Sequence, residues 1–436
     1  MVKDSINIFW FRRDLRIADN AALFYALKAD KPVLPLFIFD KSILDKLEDK
    51  DDARLTFLHQ EVEKLKTECI NNHSDIHVAY GLPLQIWQNL IDTYTITAVF
   101  TNHDYEPYAI QRDSELAKLF AQNNIAFNTY KDQTIFEKDE VTKDDGKPYV
   151  VFTPYKRKWL EKLNAYYLKP YPSEKLLANL YHTKTNAIPS LQTMGFVKST
   201  LAFPDKVFAP ILKNYATHRD FPAKDATSRI SLHLRFGTLS IRQLVNAAKN
   251  VSEVWLSELI WRDFYFAILW HFPHSATQSF RPEYDKIKWR NNLQEFEAWC
   301  AGKTGYPMVD AGMRELNHTG FMHNRVRMVV ASFLSKHLLI DWRWGERYFA
   351  RKLLDFELSS NVGGWQWAAG SGVDAAPYFR IFNPAEQIKK FDKDLQYVKK
   401  WIPEFNDVFK YPKPIVNHKE ARERCLRVYK EGLSDF

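Results

Sequence analysis

Over its first 130 or so residues the sequence switches between two hydrophobic periods, and that alternation restricts the fold more than any other feature. Strand-like apolar runs cover residues 6–11, 33–39, 76–81, 97–103 and 125–131. Between them apolar residues recur at helical spacing over 20–30, 54–70, 83–94 and 109–122. Strand and helix in succession, with short connections, imply a doubly wound parallel sheet covered by helices on both faces. From about residue 205 helix-period segments dominate, among them 240–250, 254–272, 324–340 and 347–358. The chain therefore reads as α/β followed by all-α: a sheet domain over 1–131, a proline-punctuated connector over 132–204 and a helical domain over 205–436.

Several classes fall away early. A nicotinamide dehydrogenase would carry GxGxxG after its first strand, and FWFRRDLR (9–16) stands there instead. No apolar run approaches the ~18 residues of a membrane span, and the N-terminus, interrupted by Arg12 and Arg13, is not a signal peptide. Cys69, Cys300 and Cys425, far apart and without CxxC, exclude a disulfide framework or four-cysteine cluster and suit a reducing cytoplasm. Charge is unevenly spread. Residues 1–200 carry 26 basic and 27 acidic side chains, whereas residues 201–436 carry 35 and 26, so a polyanion partner is expected on the C-terminal part. Ten of the 13 tryptophans also lie from Trp255 onward, a concentration suited to stacking on planar rings as well as to packing.

Four segments of the helical part carry polar chemistry. In TSRISLHLRFGTLS (227–240), Thr227 or Ser228 is the expected N-cap, with Arg229 and Ser231 in the adjoining turn. Hydroxyls, free N–H groups and a guanidinium at a helix start suit phosphate oxygens, although a plain cap needs no ligand. His233, Arg235 and Arg242 beyond it are expected to be solvated. In VWLSELIWRDFY (254–265), Trp255, Glu258 and Arg262 share a helix face. That places a carboxylate among indoles, or simply in an i,i+4 ion pair with Arg262. GFMHNRVRM (320–328) clusters Asn324, Arg325, Arg327 and Met328 before an apolar helix. In the stretch from 341 to 384, Asp355 and Glu357 end an apolar helix, with Arg327 the expected partner of Asp355. Gly363 and Gly364 then form a turn between tryptophans, Trp365 and Trp367 pointing to opposite sides of an extended chain.

Together TSRIS, WLSELIWRDFY, KTGYPMVDAGMREL, GFMHNRVRM, DWRWGERYF and NVGGWQWAAGSGVDAAPYFRIFNP resemble the photolyase–cryptochrome family, specifically its class I cyclobutane-dimer photolyases. FWFRRDLRIADNAAL resembles the family's opening strand and helix, and the match runs in order from residue 6 to about 405. The resemblance implies a Rossmann-like antenna domain followed by a helical FAD-binding domain. It implies light-driven electron transfer from reduced flavin to a pyrimidine dimer flipped out of ultraviolet-damaged DNA. Tyr215, Thr227, Ser228, Arg229, Ile230 and Ser231 would hold the flavin's phosphates and ribityl chain. Trp255, Glu258 and Arg262 would line the adenine and lesion side, with Glu258 stabilising the dimer radical anion. Asn324, Arg327, Asp355, Phe356 and Glu357 would surround the isoalloxazine, with Asn361 opposite N5. Many relatives have Asp-Gly-Asp where Asp355-Phe356-Glu357 stands.

Trp261 and Trp367 would sandwich the dimer, with Met328 as a wall and Asn324, Arg325 and Gln387 near the strand. Trp365, Trp342 and Trp289 match the family's electron chain, whereas Trp299 and Trp344 read as packing. Members that bind a folate have Asn-Glu after the fourth strand. Tyr108 and Ala109 stand there, which speaks against folate and leaves a deazaflavin, a flavin or no second chromophore. No metal is implied, and the expected state is a cytoplasmic monomer. The alternatives are a cryptochrome photoreceptor, against which the dimer-pocket residues and Asn361 speak, and a (6–4) photolyase, which typically pairs histidines where His323-Asn324 stands. The basic C-terminal part makes binding to damaged DNA salt-dependent, with a log–log slope of about −0.9 per neutralised phosphate. Arg325→Ala is expected to weaken binding and flatten that slope by roughly one in salt-titrated anisotropy; an unchanged slope would remove Arg325 from the contacts.

Overall fold

The computed structural model describes residues 5–434. Its sheet consists of β1 (Ser5–Phe11), β2 (Val33–Asp40), β3 (His77–Gly81), β4 (Thr95–Asn102) and β5 (Ala126–Tyr130), all parallel, in the order β3-β2-β1-β4-β5. Every strand lies within two residues of its expected place. The crossovers are the helices Ala21–Lys28, Ala53–Asn71, Pro83–Thr93 and Pro107–Gln122. Burial of both faces explains the unbroken apolar runs. Ile6, Ile8 and Trp10 of β1 pack on one side with Trp87 and Phe120, while Phe9 and Phe11 pack on the other with Leu55, Val62 and Leu65.

Strand order reverses at β1, so the connections after β1 and β4 leave in opposite directions and open a crevice at their C-terminal ends. Charged side chains fill it. Arg12 donates to Asp113 at 2.7 Å, Arg13 to Glu106 at 3.0 Å, and the buried Asn102 amide to Asp14 at 2.5 Å. Arg16 and Arg242 converge on the buried carboxylate of Asp132, at 2.6 and 2.7 Å. Arg242 also donates to Asp19 at 2.8 Å.

Residues up to Glu137, Lys162–Lys206 and Ile230–Asn250 form one compact unit; Lys138–Glu161, Val207–Arg229 and the chain from Val251 form another. These units cut across the boundaries expected at 131 and 204, because the connector's apolar residues Leu180, Leu191, Met194 and Phe196 sit in the sheet unit's core. The helix Ser231–Phe236 joins that unit through Leu15 N–H to the Phe236 carbonyl, 3.0 Å. Gly237 ends it at φ 64°, where a Cβ would lie 2.1 Å from the Arg13 carbonyl oxygen, so only glycine fits.

The second unit is helical, built on Glu253–His271, Pro307–Thr319, Asn324–Ser332, Trp342–Lys352 and Leu358–Ala369. Trp299, Val330, Leu334, Trp342 and Trp365 lie in its core. Three expectations require correction. The cap of Ser231–Phe236 is Ile230 with no side-chain bond, because Arg229 turns the chain at φ 50° and carries Thr227 and Ser228 away from the first turn. His233 and Arg242 are buried, His233 between the Thr238 hydroxyl and the Pro204 carbonyl. Gly363 and Gly364 lie inside the helix Leu358–Ala369, where Gly363 lets the Tyr265 ring pack against the backbone (2.2 Å from an added Cβ). Removing the carboxylate of Asp132 would take a buried partner from both Arg16 and Arg242 and leave Arg242 only its pair with Asp19. Asp132→Ala is expected to destabilise the sheet unit by about 3 kcal/mol in urea unfolding, and a midpoint equal to wild type would refute this role.

Candidate active site

Within the second unit, two arginines from separate segments meet at Phe321, and one of them reaches Asp355. Arg327, in the helix Asn324–Ser332, donates its Nε to the Met322 carbonyl at 2.7 Å and an Nη to Asp355 at 3.0 Å, the pairing expected from sequence. The guanidinium carbon of Arg327 stands 5.8 Å from the Phe321 ring centre and that of Arg229 stands 4.9 Å from it. Two cations are thus held around one phenyl ring. Phe356 packs against the adjacent core, and Glu357, directly before the helix Leu358–Ala369, is buried.

Asn361, on the first turns of that helix, donates its amide to the Glu346 carbonyl at 3.2 Å and to the Glu346 carboxylate at 2.9 Å. The amide nitrogen makes both contacts to one residue, which orients the amide and leaves Oδ1 as an acceptor. Burial raises the Glu346 pKa while the bond from Asn361 opposes the rise. Sequence reasoning missed Glu346; it carries no signal beyond a place in the amphipathic helix Trp342–Lys352.

Glu258 bonds to Arg219 at 2.5 Å, not to Arg262. The alternative i,i+4 pair does not form, and the Arg262 guanidinium lies over the Phe266 ring, 4.7 Å from its centre. Burial raises the Glu258 pKa against the pull of Arg219, so this carboxyl takes a proton more readily than an ordinary glutamate. Arg219 lies over Tyr215 at 5.2 Å, and its neighbour Asp220 accepts from Arg325 at 2.7 Å. Arg325 also lies 4.3 Å from the Phe391 ring centre and donates to the Met328 sulfur at 3.8 Å. Arg219 and Asp220 were missed because their segment has no hydrophobic period. His323 accepts the Arg325 N–H at its Nδ1, capping the helix, and burial lowers its pKa to about 4. It is neutral at physiological pH.

Among the aromatic candidates, Trp261 stacks on Phe152 with centroids 3.7 Å apart and planes 7° apart, so one of its faces is covered. Trp255 is buried and stacks on Phe208 at 5.7 Å. Trp365 and Trp342 are both core residues with buried indole N–H groups lacking a hydrogen-bond partner, and Trp289 packs against the same core. Trp299 meets Trp365 at 6.1 Å and Trp289 meets Tyr429 at 5.9 Å. Trp367, half-buried, leaves the helix two residues after Trp365, so helical geometry rather than an extended turn separates them. Asn324 is exposed, and Gln387 is half-buried with an unpartnered buried Oε1. Ile230 and Ser231 belong to the sheet unit.

The donor set fits a planar ligand carrying phosphates. Arg229 and Arg327 supply cations, Thr227 and Ser228 half-buried hydroxyls, and Asn361 Oδ1 an acceptor for a ring N–H. Gly364 leaves open space, since a Cβ there would meet nothing within 4 Å. FAD has these complementary groups.

Residues 255–431 match the model of the FAD binding domain of DNA photolyase, and residues 7–175 match the DNA photolyase model. The deoxyribodipyrimidine photo-lyase of Vibrio cholerae is 36% identical, over 98% of this chain and 99% of the relative. The crystal structure of a bacterial class III photolyase from Agrobacterium tumefaciens is similar at a TM-score of 0.87 and 33% identity, covering 100% of this chain and 99% of that one. An archaeal photolyase from Sulfolobus tokodaii, solved with two FAD molecules, is similar at a TM-score of 0.81 and 33% identity, covering 98% of this chain and 100% of that one.

The depressed pKa of His323 has a consequence for stability. Between pH 6.5 and about 4 an unfolded histidine takes up a proton that native His323 refuses. The native state therefore loses stability as pH falls through that window, by at most about 3 kcal/mol. Asparagine keeps a capping acceptor without titrating. In urea unfolding across this range, His323→Asn is expected to show a shallower decline than wild type, and parallel curves would contradict the assignment.

Proposed function

This chain belongs to the DNA photolyase family, and from that premise we propose how its residues divide the work of light-dependent repair. It is a deoxyribodipyrimidine photo-lyase with an FAD-binding unit, acting on cyclobutane pyrimidine dimers in ultraviolet-damaged DNA. Bound FAD supplies the light absorption and the transferable electron that amino-acid side chains lack.

The residues supply placement and electrostatics. In this reading Arg229, Thr227, Ser228 and Tyr215 hold phosphates and the attached chain, while Arg327, kept in place by Asp355, offers positive charge beside the ring. Asn361, oriented by Glu346, offers Oδ1 as an acceptor. Glu258 donates a hydrogen bond or proton to a dimer carbonyl where negative charge develops, a role that its raised pKa supports. Trp367 and Trp261 stack on the flipped bases, and Met328, Asn324, Arg325 and Gln387 line the strand. Trp365, Trp342 and Trp289 provide oxidisable indoles in one core. A second chromophore in the sheet unit remains part of the proposal without an assigned identity. No helix among the described residues is long and apolar enough to cross a membrane; the proposed setting is the cytoplasm, with the protein acting as a monomer.

The observation that favours cyclobutane dimers over (6–4) products is the state of His323. A (6–4) lesion requires proton transfer from an acid, and this histidine is neutral and committed to a helix cap. Light-dependent loss of each lesion from a defined oligonucleotide tests the reading. Cyclobutane thymine dimers are expected to be repaired and (6–4) products left intact. Glu258→Ala is expected to lower repair yield severalfold while bound flavin absorbance stays at wild-type level. Efficient (6–4) repair, or neither activity with reduced flavin present, would overturn the assignment.

A further inference from the structure

A surface carried wholly by the sheet unit combines exposed aromatic faces with lysines. Tyr25, at the outer side of the helix Ala21–Lys28, stacks on Tyr130 at the end of β5, with centroids 4.6 Å apart and planes 10° apart. Tyr171 closes on Tyr25 at 5.8 Å. Lys131 directly follows Tyr130, and its ammonium lies 5.2 Å from the centre of the Tyr167 ring, which in turn meets Tyr166 edge-on at 5.3 Å. Tyr25 is 40% exposed and Tyr166 78% exposed.

Lysines flank these rings. Lys28 lies over Phe24 at 5.2 Å and Lys162 over Phe136 at 5.5 Å, while Lys28 and Lys169 are themselves exposed. The carboxylates nearest these tyrosines point inward. Asp19 accepts the Tyr171 N–H at 2.8 Å and pairs with Arg242, and Asp132, two residues beyond Tyr130, is buried between Arg16 and Arg242. Asp30, 3.8 Å from Lys31, Glu161, next to Lys162 in sequence, and Glu174 are exposed acids. β5 is an edge strand, so nothing in the sheet covers this side.

We propose that this surface binds single-stranded nucleic acid, with phosphates on the lysines and unpaired bases on the tyrosine faces. Every base offers a π-face, so stacking on tyrosine tolerates any sequence, and lysines along the backbone supply affinity. A duplex hides its base faces within the stack and would leave the tyrosines unused. An acidic peptide would satisfy the lysines and leave the rings without planar partners. The proposal goes beyond the repair reading and does not rest on it, since its assay needs neither light nor a lesion.

The test uses the full-length protein and a fluorescein-labelled, undamaged deoxythymidine 12-mer, titrated in the dark by anisotropy. Tyr166→Ala is expected to weaken binding about fivefold, and Tyr166→Phe to restore it, because the ring and not the hydroxyl makes the contact. Lys28→Ala with Lys169→Ala should weaken binding at low salt and reduce the log–log salt slope by about 1.4, at ~0.7 per cation on a single strand. Repair of a dimer in duplex DNA should stay within twofold of wild type in all three variants, which also reports that they are folded. Unchanged binding in both Tyr166→Ala and the lysine double variant would overturn the proposal. So would a poly-glutamate peptide displacing the 12-mer as well as unlabelled strand does, which would identify an acidic protein as the occupant.

Discussion

The sheet unit depends on a single buried carboxylate. Asp132 receives Arg16 from the turn after β1 and Arg242 from the helix Ile241–Ala248, so three segments far apart in sequence share one charge centre. Buried guanidiniums are stable only with partners, and this geometry supplies them on both sides. Burial raises the pKa of Asp132 while the two arginines lower it, and the arginines prevail. The same centre fixes the turn that carries Arg12, Arg13 and Asp14 and thereby the charged crevice where strand order reverses. It also explains why residues 230–250, remote in sequence, pack with the sheet.

The helical unit uses the same logic with a different outcome. Its arginines meet carboxylates in pairs, Arg327 with Asp355, Arg219 with Glu258 and Arg325 with Asp220, but these pairs are partly open to solvent. A partly open pair holds its members in place at little net stabilisation and leaves donors able to turn to an arriving anion. Arg325 illustrates the point. Its guanidinium rests on Phe391 and pairs with Asp220, so contact with a DNA phosphate would exchange one anion for another. Around these pairs Trp299, Trp342 and Trp365 belong to the unit's core, with Trp342 and Trp365 fully enclosed.

Much of this was legible in the sequence because a period-two or period-3.6 pattern reports burial directly. The five strands and their crossovers follow from it, as do the helices of the second unit. Asp355 with Arg327 was legible too, since a carboxylate at an apolar helix end demands a cation and the polar cluster at 324–327 offered one. Three features were not. Glu258 met Arg219 while Arg262 lies over Phe266, an outcome that helical spacing alone does not decide. Glu346 acquired its role only when the helix Trp342–Lys352 came against Asn361. His233 and Arg242, expected in solvent, were buried because the second stretch of the chain returns to the sheet.

By itself the sequence determined which segments become strands and helices, the absence of a glycine-rich dinucleotide loop, the excess of positive charge in the C-terminal part and the family to which the motifs belong. These follow from local periodicity and residue identity, which need no knowledge of distant neighbours. Tertiary structure alone decided the partners. Which arginine meets which carboxylate, that His323 is neutral because burial, with Arg325 and Arg327, outweighs Asp220, and that Tyr25, Tyr130 and Tyr171 gather at one place on the sheet unit all depend on segments separated by tens to hundreds of residues. Ion pairing and desolvation act over a few ångströms of space, and distance along the chain carries almost no information about them.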